Sequence, residues 1–247
     1  MLLNYKKLEG NNDMEWIIIV ISLVTIILLK IGLNVHFNDI KKIKNIGEDK
    51  ELKKIADKFP ENKEICEEIL KKLNNKNIKI EESSDTKSSF YIVIGNKIVI
   101  ANIKDTFSRI QTIAHECLHS IQNRNILLFN FWFSNIYLLY FLISILLIIF
   151  NVGNSLIYIE SFTGIAIIYF SIRNYLENEA MNKAIFVAEN YMKEYKKEKL
   201  EISDEDIKKL MENFNEINKI GIPLTNFSLI SGALIKIILL CVLSIIC

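Results

Sequence analysis

Hydrophobic and polar positions are segregated along this 247-residue chain instead of being mixed by a regular period. Four apolar runs stand out, and each contains at most one charged residue. The runs are residues 16–35 with Lys30, 126–150 with no charge, 155–172 with Glu160, and 227–247 with Lys236. A helix crosses a bilayer core with about 20 apolar residues. The pattern predicts four transmembrane helices, the last being the least regular because Lys236 lies near its middle.

Two polar segments, residues 36–125 and 173–226, separate these runs. The second and third runs are joined by residues 151–154 only, so both polar segments must lie on the same side of the membrane. Of the 30 basic residues, 26 lie in these two segments, which the positive-inside rule assigns to the cytoplasm. Residues 1–15 are predicted to be an N-terminal tail before an uncleaved anchor, because the tail is partly acidic and no A-x-A cleavage site follows.

The polar segments predict helices and one β-hairpin. Two β-rich runs flank Gly95-Asn96, which indicates a hairpin over residues 90–100. A helix is expected over 106–124, with Asp105 or Thr106 as its cap. Another should run from 174 to about Leu200, and a further helix should start near Ser203 and end at Gly221 and Pro223. With 8 Gly and 2 Pro the chain has few turn signals, so a many-stranded sandwich or barrel is not expected.

A candidate metal-binding motif lies just before the second apolar run. His115-Glu116-Cys117-Leu118-His119 matches the pattern H-E-x-x-H, and it uses two of the 3 histidines. Residues i and i+4 of a helix lie about 6 Å apart on one face, so both imidazoles can reach one zinc ion. Glu116 lies beside that face and could accept a proton from water and pass it to a leaving amine. The alternative is that both histidines simply line a polar helix face.

A catalytic zinc site takes three protein ligands, so the pair needs a third. His36 follows the first run directly and is interpreted as an interfacial residue. Glu177 and Glu179 open the helix after the third run, on the same side of the membrane as the histidine pair. They point about 200° apart on a helix, so only one of them can face the metal. The residues alone leave that choice open.

The stretch HECLHSIQ, residues 115–122, resembles the H-E-x-G-H-A-I-Q motif of membrane-bound neutral zinc metallopeptidases of the YugP type. In that family, as here, one span precedes the motif and two follow it. An E-x-x-A-S-x-x-A motif comes next, and Glu177, Ala180 and Ala184 match it. This motif is also similar to the E-x-x-A-D of HtpX-like and CAAX-prenyl-protease-like membrane zinc endopeptidases, where its Glu binds zinc. The resemblance implies that His115, His119 and Glu177 bind Zn²⁺, with Glu116 as the catalytic base and Glu179 outside the ligand set.

The resemblance implies a mainly α integral membrane protein with about four transmembrane helices and a zincin-like cytoplasmic domain that contains the hairpin. The expected activity is zinc-dependent hydrolysis of peptide bonds at the cytoplasmic face of a bacterial plasma membrane. The expected partners are a peptide or protein substrate, membrane proteins included, and membrane lipid. A net charge of +1 gives no reason to expect nucleic acid. The 4 cysteines form no C-x-x-C pair, so they predict neither a thiolate zinc site nor a disulfide framework.

Two other functions stay open at this point. Intramembrane cleavage would need the H-E-x-x-H inside a span, which the polar residues around the motif disfavour. A zinc-binding membrane scaffold or sensor without activity is supported by two departures from the family pattern. Leu118 stands where the family has Gly, and Met181 stands where it has Ser or Asp. An edge strand of the hairpin could bind an extended peptide or could simply cover the motif helix.

Overall fold

The computed structural model describes residues 2–86, 88–198 and 201–247. These residues form eight α-helices and three β-strands, so the prediction of a mainly α protein is confirmed. The helices are α1 (Leu2–Gly32), α2 (Phe37–Gly47), α3 (Lys50–Ala56), α4 (Asn62–Lys72), α5 (Arg109–His119), α6 (Arg124–Ile149), α7 (Ser155–Glu198) and α8 (Asp204–Ile246). The strands are β1 (Lys79–Ser83), β2 (Phe90–Ile92) and β3 (Lys97–Ala101). The predicted helix end near Leu200 lies outside the described residues.

The chain divides into two compact units. The first, called the span unit, comprises the residues up to Val35 together with 129–174 and 223–247. The second, called the polar unit, comprises 36–128 and 175–222. The limits of the units lie close to the ends of the four apolar runs. The two polar segments, distant in sequence, therefore belong to a single folded body.

The span unit contains apolar stretches of α1, α6, α7 and α8, four helices long and apolar enough to cross a membrane by length and composition. Its interior is a cluster of aromatic and aliphatic side chains that includes Ile19, Tyr137, Phe141, Phe162 and Leu240. Many apolar side chains on the outside of α1 and α6 are exposed, which is typical of surfaces that face lipid. Lys236 lies with its Nζ 5.1 Å from the centre of the Tyr137 ring and 5.9 Å from that of Phe141. The aromatic faces stabilise this half-buried cation.

The expected ends of two helical segments are wrong. α7 continues without a break from the third apolar run into the polar unit, and α8 continues past Gly221 with Pro223 inside it. A proline removes one backbone hydrogen bond from a helix, and the apolar residues on its C-terminal side favour helix because a bilayer leaves backbone groups no other partner. α1 likewise begins at Leu2 and includes the stretch predicted as a tail.

The polar unit contains a three-stranded sheet in the order β1-β3-β2. β2 and β3 pair antiparallel, with Tyr91 opposite Ile98, so the predicted hairpin is confirmed. β1 pairs parallel with β3 and was not predicted, because its sequence Lys-Ile-Glu-Glu-Ser has only one apolar residue. Main-chain pairing with β3 stabilises β1, and local sequence propensity does not predict such a tertiary contact.

A single hydrophobic core joins this sheet to helices α3, α4, α5, α7 and α8. Helix α4 supplies Ile65 and Ile69, both fully buried. Helix α5 supplies Ile110, Ile113 and Cys117, which are also fully buried. Of the 11 residues of α5, 9 are buried. The helix that carries the H-E-x-x-H motif is therefore held by packing on almost every side.

Candidate metal centre

The motif helix α5 is shorter than the predicted 106–124, since it begins at Arg109 and ends at His119. Thr106 does not cap it, because the Thr106 hydroxyl donates to Ile103 O at 2.8 Å. At the other end the Ser120 hydroxyl donates to Cys117 O at 2.6 Å, and Asn75 donates to Ser120 O at 3.0 Å. These bonds lie at the end of the helix, directly after the last residue of the motif, and a separate helix starts at Arg124.

The structure brings together the three residues that were expected to bind a metal. His115, His119 and Glu177 each offer one ligand atom, and these atoms lie within 4.8 Å of one another. The distance between the Nε2 atoms of the two histidines is 3.0 Å. Glu177 Oε2 lies 3.4 Å from His115 Nε2 and 3.7 Å from His119 Nε2. This group could hold a metal ion.

These distances are compatible with tetrahedral coordination of a metal ion such as zinc. Two ligands of a tetrahedral zinc ion, with bonds of about 2.0 Å, lie about 3.3 Å apart. The three measured separations, 3.0, 3.4 and 3.7 Å, scatter around that value. Two imidazoles and a carboxylate also leave the fourth position of a tetrahedron open, as catalytic zinc sites do.

Glu177 comes from a distant part of the chain, and two amide side chains hold its helix turn. Gln122 donates from Nε2 to Leu176 O at 2.8 Å, directly before Glu177. Asn218 of α8 donates from Nδ2 to Met181 O at 3.0 Å and accepts from Gln111 of α5 at 2.6 Å. One bridge therefore lies on each side of Glu177, and the second links α7 and α8 to the motif helix.

Charge within the site favours a cation at the histidines. Burial by itself lowers the pKa of His119, but Glu177, the charge of Glu116 and the hydrogen bond with Gln122 together outweigh burial, so the pKa is raised. Burial raises the pKa of Glu116, although the charges of His115 and His119 act in the opposite direction. A buried pocket with carboxylates and imidazoles facing one another is stabilised by positive charge between them.

Glu116 is buried beside the ligand group and reaches the sheet. The backbone N–H of Tyr91 in β2 acts on its carboxylate and lowers its pKa, against the larger effect of burial. β2 is an edge of the sheet, with β3 on one side and no further strand on the other among the residues described. The general-base candidate therefore lies next to a strand edge along which an extended chain could pair.

Several other candidates lie elsewhere. His36 is exposed at the N-terminus of α2 and is not part of the ligand group. Glu179 is not part of the ligand group and accepts hydrogen bonds from Gln122 and Lys183. Arg109 and Tyr191 are both buried in the core, so neither is available to stabilise an oxyanion. Arg109 directs its guanidinium at Pro60 O, Asn62 Oδ1, Ala56 O and Phe59 O, so its role is structural.

The two departures from the family pattern, Leu118 and Met181, are packing side chains. Leu118 is buried in the hydrophobic core. The Met181 side chain is half-buried, with its terminal methyl group 3.8 Å from the position that a Cβ on Gly221 would take. Both side chains are therefore used in packing.

The sequence pattern does not predict a role for Gln122 or Asn218. Gln122 had one signal in the sequence, its place three residues after the second histidine in the matched stretch. Asn218 had none, since it is one of many asparagines in the chain.

Comparison of the chain with protein-family models, with curated proteins and with solved structures gives no match. The likeness to membrane zinc peptidases rests on the residues of the two motifs, on the His-His-Glu group and on the four apolar helices.

Proposed function

We propose that this protein is a membrane-anchored, zinc-dependent metalloendopeptidase. The observation that carries the proposal is the convergence of His115, His119 and Glu177 at separations of 3.0 to 3.7 Å, with Glu116 buried beside them. A zinc ion held there would supply the Lewis acidity that makes water nucleophilic near neutral pH and polarises a carbonyl.

Glu116 is the residue to which we assign proton transfer. Its carboxylate accepts a proton from the attacking water as the new C–O bond forms at the scissile carbonyl carbon. It then gives that proton to the amide nitrogen as the C–N bond breaks, which balances the reaction. Burial raises the pKa of Glu116. This favours both steps, because a group that accepts and then donates a proton works best when its pKa is close to the operating pH.

We assign substrate binding to the edge of β2. A peptide paired with this strand would pass the Glu116 carboxylate, which already contacts the Tyr91 backbone. Main-chain pairing accepts many sequences, so this arrangement suits unfolded or extended polypeptide, membrane-associated peptides included.

We place the site on the cytoplasmic side, because 26 of the 30 basic residues lie in the two polar segments. Cys247 is exposed and Ser84 offers an exposed position in the polar unit. A membrane-impermeant maleimide applied to intact cells should label Cys247 and leave a Ser84→Cys variant lacking Cys247 unlabelled. The opposite pattern would invert the topology.

The proposal is tested with the full-length protein purified in lipid nanodiscs. The wild type should contain zinc and cleave casein. Glu116→Gln should lower kcat by about 10²- to 10⁴-fold, the usual contribution of a general base, with its zinc retained. Glu67→Gln, an exposed acid on α4, is the matched control and should behave as wild type.

Three outcomes would count against the proposal. If the wild type contains no zinc and cleaves nothing, the protein is not a zinc peptidase. Zinc without cleavage favours the zinc-binding scaffold or sensor. Undiminished cleavage by Glu116→Gln refutes the mechanism.

A further inference from the structure

The side chain of Gln122 makes three hydrogen bonds that together determine which way its amide points. Nε2 lies 2.8 Å from Leu176 O and 3.0 Å from Glu179 Oε2, and both of these atoms are acceptors. The two hydrogens on Nε2 are therefore used, and the amide oxygen lies 2.8 Å from His119 Nδ1. Turning the amide over would set an oxygen against two acceptors, so its partners assign this orientation.

An amide oxygen can only accept, so His119 Nδ1 must carry the proton in this contact. In a neutral imidazole the lone pair is then on Nε2, the atom that lies 3.0 Å from His115 Nε2. We propose that Gln122, held in turn by Glu179, is a positioning residue that fixes the tautomer and ring plane of His119 toward the metal ion. The inference rests on the proposed function, because it assigns a role at the same site.

The end of α5 explains why Gln122 can reach back to the histidine. The helix stops at His119, and the Gln122 backbone N–H donates to His119 O at 3.3 Å in a tight turn. Asn75 pins that turn through Ser120, with its Nδ2 atom 3.0 Å from the Ser120 carbonyl oxygen. The turn brings the Gln122 side chain to the imidazole, with its Oε1 atom 2.8 Å from His119 Nδ1.

Glu179 is itself held in place. One carboxylate oxygen receives Gln122 Nε2 at 3.0 Å, and the other receives Lys183 Nζ at 2.6 Å. Two acids on one turn of α7 thus act on one imidazole from opposite sides. Glu177 lies at Nε2, and Glu179 acts on Nδ1 through Gln122. Partners outside the ligand set typically change metal affinity by about 10- to 100-fold.

The test uses the full-length protein with ¹⁵N-labelled histidine at a pH where the imidazoles are neutral. The chain has only 3 histidines, so each ring can be assigned and its tautomer identified from two-bond ¹⁵N–¹H correlations. Metal-free wild type should show His119 with its proton on Nδ1. Gln122→Ala should give a mixture of tautomers and lower the affinity for Zn²⁺ by about 10- to 100-fold, measured by competition with a chelating dye.

Variants of Glu179 separate this role from a purely structural one. Glu179→Ala should shift the tautomer and the Zn²⁺ affinity in the same direction as Gln122→Ala but less, since Leu176 O still holds Gln122. Glu179→Gln should restore both, because its amide oxygen can still accept from Gln122. Glu189→Ala removes an equivalent ion pair, with Lys193 at 2.6 Å on the same helix, and should change neither.

The inference is overturned if Gln122→Ala and Glu179→Ala keep the wild-type tautomer and bind Zn²⁺ within about twofold of wild type, a change too small for a positioning role. It is also overturned if Glu179→Gln fails to restore the tautomer. That result would leave zinc content and cleavage by the wild type intact, so it is distinct from a failure of the proposed peptidase function. Should Gln122→Ala not fold, the Glu179 pair decides alone.

Discussion

The span unit and the polar unit both bury carboxylates, but they surround them with different partners. In the span unit Glu15 is fully buried, and its Oε1 accepts from Ser244 Oγ at 2.7 Å and lies 3.4 Å from Ser155 Oγ. In the polar unit Glu177 Oε2 faces two imidazole nitrogens, at 3.4 and 3.7 Å. Glu15 therefore contacts serine hydroxyls, whereas Glu177 contacts the imidazole nitrogens of His115 and His119.

This difference shows why a buried acid does not by itself indicate a metal site. Hydroxyls bring their own protons, so the serines connect α1, α7 and α8 by hydrogen bonds through one oxygen of Glu15. The His-His-Glu group directs three ligand atoms at a common point, and a single cation can satisfy all of them. What distinguishes the candidate site is thus its set of donor atoms and not the burial of its carboxylate.

The sharpest way to test the contrast is to add metal. Zinc should stabilise the polar unit and leave the span unit unchanged, because all three ligands lie in the polar unit. A ligand at about 1,000 times its Kd adds about 4 kcal/mol to the free energy of unfolding. Hydrogen exchange in nanodiscs should slow in α5 when Zn²⁺ is added and stay the same in residues 129–149 of α6.

The control for this experiment is Glu177→Ala, which should lose most of the zinc-dependent protection. Equal protection of both units in the wild type would contradict the assignment of the site to the polar unit alone.

The polar unit also depends on a buried cation that has no metal role. Arg109 is 1% exposed and donates to four acceptors at 2.7 to 3.0 Å. Arg109→Met would leave those acceptors without a donor, and we expect a loss of about 3 kcal/mol in the free energy of unfolding. Denaturant titration measures the free energy of unfolding. The control is Arg124→Met at an exposed position, which should stay within about 0.5 kcal/mol of wild type. A loss as small as that of the control would mean that water replaces the guanidinium.

The smallest effect concerns the span unit. Glu15→Ala removes the acceptor of the Ser244 hydroxyl and should cost about 1 kcal/mol, since hydrogen bonds between membrane helices contribute little. Glu15→Gln keeps an acceptor and should cost less. Unfolding in mixed micelles measures both, and Asp13→Ala, exposed two residues earlier, is the control. Zinc affinity should be unchanged, and a large drop would show that the two units are coupled.

The sequence predicted the hairpin and the helical class because local pattern decides both. Two β-rich runs around Gly95-Asn96 favour a hairpin through short-range interactions alone. The same reasoning failed at Pro223, where the length of the apolar run outweighed a local helix breaker, and at β1, where pairing with β3 outweighed a poor strand sequence. Local signals were wrong where a partner elsewhere in the chain supplied the free energy.

By itself the sequence determined that this chain has four apolar runs, that two of its 3 histidines stand four residues apart on a helix, and that a pair of spans separates its polar segments. These are properties of spacing, which the covalent chain records. Only the tertiary structure decided that Glu177 meets the histidines while Glu179 meets Gln122, because the rotation of α7 about its axis is set by packing and by the bridges at Leu176 and Met181. As a result, Glu177 lies near Nε2 of His119, whereas Glu179, two residues later, acts on Nδ1 of the same ring through Gln122.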